Sequence, residues 1–138
     1  MSTFNNSQNS FVIEGGIEIA PLLLAYSQFT EALKIAKSDL EKAGVIQYFE
    51  FTYELSWKTL RRILKERGKD LNSPKTVIRE AALEKLIDSP ELWFEFTEDR
   101  KKTVHTYNKD VANDIFKDLH LFDVEMTELI KRLKKLKR

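Results

Sequence analysis

The stretch VANDIFKDLHLFDVEMTELIKRLKKL, which spans residues 111–136, decides the fold class of this chain. Its apolar residues recur at intervals of four and three positions: Val111, Ile115, Leu119, Phe122, Met126, Leu129, Leu133 and Leu136. This spacing follows the turn of an α-helix, whereas a strand would alternate every second residue. The stretch therefore predicts a long amphipathic helix that begins between Thr106 and Lys109.

Two earlier segments show the same periodicity. In residues 22–43 the apolar side chains form one stripe, and Gly44 would end that helix as a left-handed residue. A second helix is predicted from about Val45 to Arg67, closed by Gly68. It carries apolar residues outside its main stripe, as expected for the central helix of a bundle. Its aromatic residues are predicted to be core and not a base-stacking platform: Phe49, Phe51, Tyr53 and Trp57.

Two serine–proline pairs mark the starts of shorter helices. Ser73-Pro74 and Ser89-Pro90 each place an N-capping side chain before a proline that suits the first helical turn. No segment alternates with a period of two residues. We therefore predict an all-α fold without a sheet, an antiparallel up-and-down four-helix bundle with a short accessory helix.

The first residues differ in composition from the rest. Residues 1–16 are rich in Asn, Ser and Gln and end in two glycines, so they can bury little apolar surface. They are predicted to be a disordered N-terminal tail. The remaining residues, 17–138, are predicted to form a single helical-bundle domain.

The composition excludes several classes of function. The chain has 138 residues, a net charge of +1 and no cysteine, which argues against a general basic nucleic-acid binder and removes cysteine nucleophiles and thiolate metal sites. The two histidines, His105 and His120, stand far apart, so neither a metal site nor a cofactor is predicted. No apolar run approaches the roughly 20 residues of a membrane span, and we expect a cytoplasmic protein with no membrane partner.

The polar segment EDRKKTVHTYN at residues 98–108 holds the side chains best suited to chemistry. Arg100 suits a phosphate oxygen and His105 suits proton transfer near neutral pH, so together they could promote attack of an RNA 2′-hydroxyl on its own phosphate without a metal. On a continuous helix these two residues would not share a face, so their convergence needs a helix break or an oligomer interface. The alternative is structural: Arg100 pairs with Glu98 or Asp99, and His105 caps a helix end.

Other charged residues also have two interpretations. Glu50 and Glu54 interrupt an aromatic helix, where they would face a cleft that binds a substrate or partner. The alternative is that Glu54 and Lys58 form an ordinary i,i+4 ion pair. The basic residues among 131–138 could contact RNA or an acidic partner, but they also lie at a helix C-terminus, where the helix dipole favours cations.

Three separated motifs carry a family resemblance. They are IQYFEFTYELSWKTL at residues 46–60, SPKTVIREA at residues 73–81, and the run Arg100-x4-His105-x-Tyr107. The first two resemble signatures of the nucleotidyltransferase substrate-binding proteins, a HEPN-type family that includes the HepT toxins. The third resembles the Arg-x4-His-x-Tyr motif of that family, and the resemblance covers about residues 20–136.

The resemblance implies a homodimeric helical bundle whose partner is a small MNT-type nucleotidyltransferase, the two forming a toxin–antitoxin pair. It implies that Arg100 and His105 are the residues of a metal-independent RNase, brought together near the dimer interface. It also implies that Tyr107 is the acceptor to which the partner enzyme transfers AMP, which silences the toxin. The nucleotide would reach this chain through the partner, and RNA would be the substrate of the toxin.

One position departs from the family pattern. A small polar residue, often Asn, usually follows the arginine, whereas Lys101 stands there in this chain. The departure at Lys101 affects the expected RNase activity more than the expected binding of the partner. Lys101 joins Glu50, Glu54 and Lys58 as candidates for contacts with the partner or substrate. Two classes of function therefore stay open: a non-catalytic interaction subunit or scaffold, and an RNase in its own right.

Overall fold

Five α-helices make up most of the structure, a computed structural model that describes residues 10–137. The helices are α1 (Ala20–Ile35), α2 (Asp39–Glu66), α3 (Pro74–Leu83), α4 (Pro90–Lys102) and α5 (Lys109–Lys134). Two short strands precede them and pair in an antiparallel hairpin: β1 (Val12–Ile13) and β2 (Ile17–Glu18). The predicted helical class is confirmed, and the prediction that no sheet would form is wrong at this hairpin.

The second helix, α2, lies at the centre of the bundle. It contacts α1, α3, α4 and α5, and its 28 residues make it about 42 Å long. Phe49, Tyr53 and Trp57 are buried, and so is Ile63 outside the main stripe, so the helix is covered on more than one side as predicted. The prediction for Phe51 is wrong, because this side chain is 50% exposed and is not part of the core.

An aromatic cluster around Phe122 joins four helices. Phe122 of α5 meets Phe29 of α1 and Phe49 of α2 edge to face, with 5.3 and 4.8 Å between ring centroids. Phe96 and Trp93 of α4 add contacts with the same ring at 5.1 and 5.9 Å. All five side chains are buried, so large aromatic residues fill the core where α1, α2, α4 and α5 meet.

The boundary between the first two helices lies earlier than the apolar spacing predicts. The second helix begins at Asp39 and not after Gly44, which lies inside the helix. The deciding signal is a capping box: Ser38 Oγ accepts a hydrogen bond from the Glu41 N–H (3.1 Å), and the Glu41 carboxylate accepts one from the Ser38 N–H (2.9 Å). Leu40, which continues the apolar stripe in the sequence, is 84% exposed at this helix start.

The start of the described chain packs against the bundle. The structure differs here from the predicted tail, because residues 10–16 include β1 and the turn of the hairpin, and the hairpin buries Ile13 and Ile17. The hairpin also caps the start of α1, because the carboxylate of Glu18 accepts a hydrogen bond from the Ala20 N–H, the first of that helix, at 2.9 Å. The prediction for residues 1–9 lies outside the described residues.

The turn of the hairpin is held against the end of α2. Gly15 has a φ of 72°, and a Cβ at this position would lie 2.7 Å from the side chain of Glu66, so the turn requires glycine. Glu14 accepts a hydrogen bond from Arg67 at 2.7 Å, and Arg67 also donates to Glu84 at 2.6 Å. The guanidinium lowers the pKa of Glu14, because it stabilises the ionised carboxylate.

The two serine–proline starts are confirmed. Ser73 Oγ accepts a hydrogen bond from the Thr76 N–H at 3.4 Å, and Ser89 Oγ accepts one from the Leu92 N–H at 3.5 Å. The helix after Ser89 is longer than the short helix that was predicted, because it continues to Lys102, and the shortest helix is α3 with 10 residues. Within the described residues, no helix is long and apolar enough to cross a membrane.

Candidate functional site

A break in the helices divides the polar segment of the sequence. The fourth helix ends at Lys102, and one turn of 3-10 helix follows over Thr103–His105. Asn108 then caps α5, because its side-chain oxygen accepts a hydrogen bond from the Asp110 N–H at 2.9 Å. Of the two conditions that the sequence left open, a helix break is therefore present, and residues 103–108 are called the junction segment below.

Arg100 lies on α4, facing α2. Its Nη1 is 3.2 Å from a carboxylate oxygen of Glu50, and its Nε is 3.3 Å from one of Glu54. Nη1 also donates to the hydroxyl of Thr103 at 3.0 Å, and that hydroxyl lies 3.1 Å from the Glu50 carboxylate. The three charged side chains are between 29% and 34% exposed, so water screens these pairs less than it screens surface pairs.

Glu98 and Asp99, the acidic neighbours of Arg100 in the sequence, form no ion pair with its guanidinium among the described residues. The Glu98 carboxylate lies 3.1 Å from the ammonium of Lys101 and 3.9 Å from that of Lys75. The predicted pairing of Arg100 with Glu98 or Asp99 is therefore wrong, because the central helix supplies the carboxylates instead.

The predicted i,i+4 pair of Glu54 with Lys58 forms, and Glu54 also contacts Arg100. It lies 3.7 Å from Lys58 on its own helix, and it also faces Arg100 across the gap between α2 and α4. The Lys58 side chain is 59% exposed, so its pair with Glu54 contributes little to stability. Of the candidates for partner contacts, Lys58 and Lys101 reach solvent, whereas Glu50 and Glu54 hold Arg100.

His105 and Tyr107 project from the junction segment. His105 Nδ1 lies 3.3 Å from the Tyr107 hydroxyl, and the two rings meet edge to face with 5.9 Å between centroids. The Tyr107 residue is 83% exposed. An imidazole nitrogen and a phenol oxygen at this distance can share a hydrogen bond, whose donor is set by the histidine tautomer.

Tyr107 differs from the other three tyrosines in the exposure of its side chain. Tyr53 is buried with its hydroxyl against that of a threonine, and burial raises its pKa to about 12. The Tyr26 hydroxyl donates to a carboxylate of α5 at 2.7 Å, and Tyr48 is half-buried on α2. An enzyme that acts on a tyrosine hydroxyl can therefore reach Tyr107 without opening a helix.

The single chain does not bring Arg100 and His105 together. Within residues 10–137, no hydrogen bond or ion pair joins them, since Arg100 turns toward α2 and His105 toward Tyr107. His120, the other histidine, is exposed on α5 and meets the ring of Phe116 edge to face at 6.2 Å. Convergence of Arg100 and His105 would require a rearrangement or a second chain.

Sequence reasoning missed a buried carboxyl next to Arg100. Asp99 is 4% exposed, and one of its oxygens has no hydrogen-bond partner among the described residues. Burial, together with the neighbouring carboxylate of Asp118 on α5, raises the pKa of Asp99 to about 8, because both disfavour the ionised form. The signal in the sequence is spacing, because Asp99 continues the buried stripe that Trp93 and Phe96 form on α4.

Some basic residues near the C-terminal end contact other parts of the folded chain. Arg132 lies 2.5 Å from Asp88 and 3.0 Å from Glu128, and the ammonium of Lys134 lies 5.5 Å from the centre of the Phe11 ring. In the part of the chain that the structure describes, no group of three or more His, Cys, Asp or Glu side chains could hold a metal ion.

Comparison with known proteins supplies the family. Residues 18–135 match the family described as nucleotidyltransferase substrate binding protein like. The chain belongs to this family. The match takes in all five helices and the junction segment, and it confirms the family assigned from the three sequence motifs.

Relatives and solved structures of the family agree with the fold. A Haemophilus influenzae protein named Probable ribonuclease HepT is 32% identical over 97 residues, which are 67% of this chain and 66%, slightly under two thirds, of that protein. A crystal structure from Thermus thermophilus has a TM-score of 0.78 and 34% identity, covering 83% of this chain and 99% of the other. A second structure, from Haemophilus influenzae, has a TM-score of 0.74 and 27% identity, covering 83% and 97%. It is described as revealing the fold of a substrate binding domain of a nucleotidyltransferase.

Proposed function

We propose that this chain is the substrate-binding or partner subunit of a two-component MNT-type nucleotidyltransferase module, and the HEPN half of a toxin–antitoxin pair. Family membership supports the pairing with a nucleotidyltransferase. The observation that carries the proposal is Tyr107, an exposed phenol in a non-helical segment between two helices, where the chain can enter the cleft of another enzyme.

In this proposal, Tyr107 accepts an AMP group from ATP held by the partner enzyme. The Tyr107 Oη attacks the α-phosphorus, a new P–O bond forms, and the bond to pyrophosphate breaks as pyrophosphate leaves with the electron pair. The phenol proton passes to a base of the partner enzyme. Because His105 Nδ1 lies 3.3 Å from this oxygen, the added phosphodiester would crowd the imidazole and silence any chemistry that needs it.

The test is incubation of the purified chain with its cognate nucleotidyltransferase and ATP, followed by intact-mass spectrometry. We expect the wild type to gain the mass of AMP and Tyr107→Phe to gain none. Tyr48→Phe is the matched control, because it removes a hydroxyl from a half-buried helical position, and it should be modified like the wild type. Equal modification of Tyr107→Phe would contradict the assignment.

The contacts with the partner are proposed to involve the exposed lysines near Arg100. The side chains of Lys101 and Lys58 are 62% and 59% exposed, whereas Glu50 and Glu54 are committed to Arg100. Lys101→Glu and Lys58→Glu should weaken co-purification of the nucleotidyltransferase. Unchanged co-purification in the double variant would remove these lysines from the interface.

A homodimer is part of the same proposal. Leu121 and Val124 lie three positions apart on α5, on one face of the helix, and they are 41% and 61% exposed. An apolar face on a folded chain favours contact with another protein surface. Light scattering should give about twice the 16.2 kDa mass of one chain, and a value near one chain mass at micromolar concentration would exclude the dimer.

A second candidate function is a metal-independent RNase. It is favoured by the name of the Haemophilus influenzae relative and by the placement of Arg100 just before the junction segment and of His105 within it. Because two carboxylates hold Arg100, bound RNA or a second chain would have to draw its guanidinium toward the phosphate.

Cleavage of RNA by the purified dimer tests this second function. Arg100→Ala and His105→Ala should abolish cleavage and toxicity, EDTA should have no effect, and His120→Gln should retain activity because it changes an exposed residue within α5. Lys101→Asn should increase cleavage if the family pattern is the better one. Cleavage that survives His105→Ala would contradict the catalytic assignment.

A further inference from the structure

A small pocket lies beside Tyr107, between the first turns of α2 and α5. Its volume is about 210 Å³, below the roughly 300–1,000 Å³ of pockets that hold drug-sized ligands. Apolar side chains from both helices line it: Ala43, Ile46, Ala112 and Phe116. The size and the apolar lining suit one planar ring system, and not an extended chain.

Two lysines add positive charge to this pocket. Lys109 lies 3.2 Å from Asp39, which links α5 to α2, but the two side chains are 83% and 75% exposed, so the ion pair is weak and can open. The ammonium of Lys42 lies 5.2 Å from the centre of the Phe116 ring. A ligand with a flat apolar end and an anionic end would match an aromatic lining with ammonium groups beside it.

We propose that this pocket binds an adenine nucleotide, and that it holds the AMP group once AMP is attached to Tyr107. The inference rests on the proposed function, because it takes AMP as the group that Tyr107 receives. Tyr107 and Lys109 both line the pocket, so an AMP group attached to Tyr107 begins at the pocket and its nucleoside can fold inward. The amide of Asn113, which also lines the pocket, offers a donor and an acceptor to the edge of the base.

The experiment is an amide NMR titration of the full, unmodified chain with millimolar AMP. Adenosine and inorganic phosphate are titrated separately, to distinguish the contribution of the base from that of the phosphate. We expect shifts at the pocket residues with AMP, and an affinity about tenfold lower in both Phe116→Ala and Lys109→Ala.

Lys117→Ala is the matched control for Lys109→Ala. Lys117 is also an exposed lysine of α5 in an ion pair, with Asp114, but it does not line the pocket, so AMP binding should be unchanged. Lys109→Ala alters an exposed side chain, and it keeps the test valid if Phe116→Ala fails to fold.

Three results would overturn the inference. The first is no shift at millimolar AMP, or shifts outside the pocket, and the second is unchanged affinity in both variants. The third is shifts at the pocket that grow with protein concentration in the absence of AMP, because a second copy of the chain would then occupy it. Failure of the proposed function looks different: free AMP would bind in the pocket, but the nucleotidyltransferase would add no AMP to the chain.

Discussion

The aromatic cluster around Phe122 and the junction segment differ in almost every physical respect. The cluster consists of buried rings from four helices, each in edge-to-face contact with Phe122. The junction segment exposes 67% of Val104 and 83% of Tyr107. The difference teaches that packing and the proposed function depend on separate regions of this chain, since one region carries the packing and the other exposes the side chains that the proposal assigns to a partner.

Removing the central ring of the cluster gives the largest expected effect. Phe122→Ala should lower the free energy of unfolding by about 3–5 kcal/mol, because it deletes the ring that four helices share and leaves a cavity. Denaturant unfolding followed by circular dichroism measures the loss. Leu24→Ala is the control, because Leu24 of α1 is 61% exposed, and its cost should stay below about 1 kcal/mol. A similar loss of free energy of unfolding in the two variants would show that the Phe122 ring contributes no more to stability than an exposed side chain does.

The buried Asp99 carboxyl predicts a pH dependence of stability. Its pKa is about 8 in the folded chain and near 3.8 in a free carboxyl, so the folded state keeps a proton that the unfolded state releases. The free energy of unfolding therefore falls as the pH rises from about 4 to about 8, and it changes no further above that range. Asp118 and Glu95 raise this pKa through their negative charge, and Lys102 opposes them.

Asp99→Asn should remove this dependence. We expect the variant to match the wild type near pH 4 and to exceed its free energy of unfolding by more than about 1 kcal/mol above pH 8. Asp114→Asn, which changes an exposed carboxylate of α5, should keep the wild-type pH profile. Parallel profiles for Asp99→Asn and the wild type would show that Asp99 is ionised in the folded chain.

Releasing Arg100 should have an intermediate effect. Replacing both Glu50 and Glu54 with Gln removes its carboxylate partners, which should cost about 1 kcal/mol because the pairs are only one-third exposed. The same change should increase RNA binding in a filter-binding assay, since the guanidinium is freed for phosphate. Glu31→Gln, in an exposed pair of α1, should change neither quantity. Unchanged RNA binding in the double variant would remove Arg100 from the RNA contact.

The smallest effects on stability are expected in the junction segment. Tyr107→Phe and His105→Ala should each change the free energy of unfolding by less than about 0.5 kcal/mol, because neither side chain is buried. Thermal unfolding measures this, and modification or cleavage assays on the same samples measure the loss of function. A large drop in stability in either variant would mean that the segment is part of the core.

The sequence predicted the helices wherever the apolar spacing and the chain geometry agree. The spacing of the last helix and the two serine–proline starts placed three helix beginnings close to the observed residues. The α1–α2 boundary was missed because the spacing continues through the loop by coincidence, and Leu40 fits the stripe without being buried. The capping pair Ser38 and Glu41 was the stronger local signal, since it satisfies backbone groups that the helix start leaves free.

The candidate site was predictable in its residues but not in its contacts. The motif put Arg100, His105 and Tyr107 in one segment and the break in the right place. That Arg100 faces Glu50 depends on how α4 packs against α2, about fifty residues earlier in the chain, and local spacing carries no information about such a pairing. The raised pKa of Asp99 likewise depends on tertiary structure, namely on burial and on the carboxylate of Asp118 from another helix.

The most direct test of this account is peptide mass spectrometry that measures AMP on each of the four tyrosines after the native chain reacts with its nucleotidyltransferase and ATP. Exposure of the side chain predicts AMP on Tyr107 alone, because the other three tyrosines are buried, half-buried or hydrogen-bonded within the bundle. AMP on Tyr26, Tyr48 or Tyr53 in the native chain, or on none of the four, would contradict the claim that the junction segment is the functional surface.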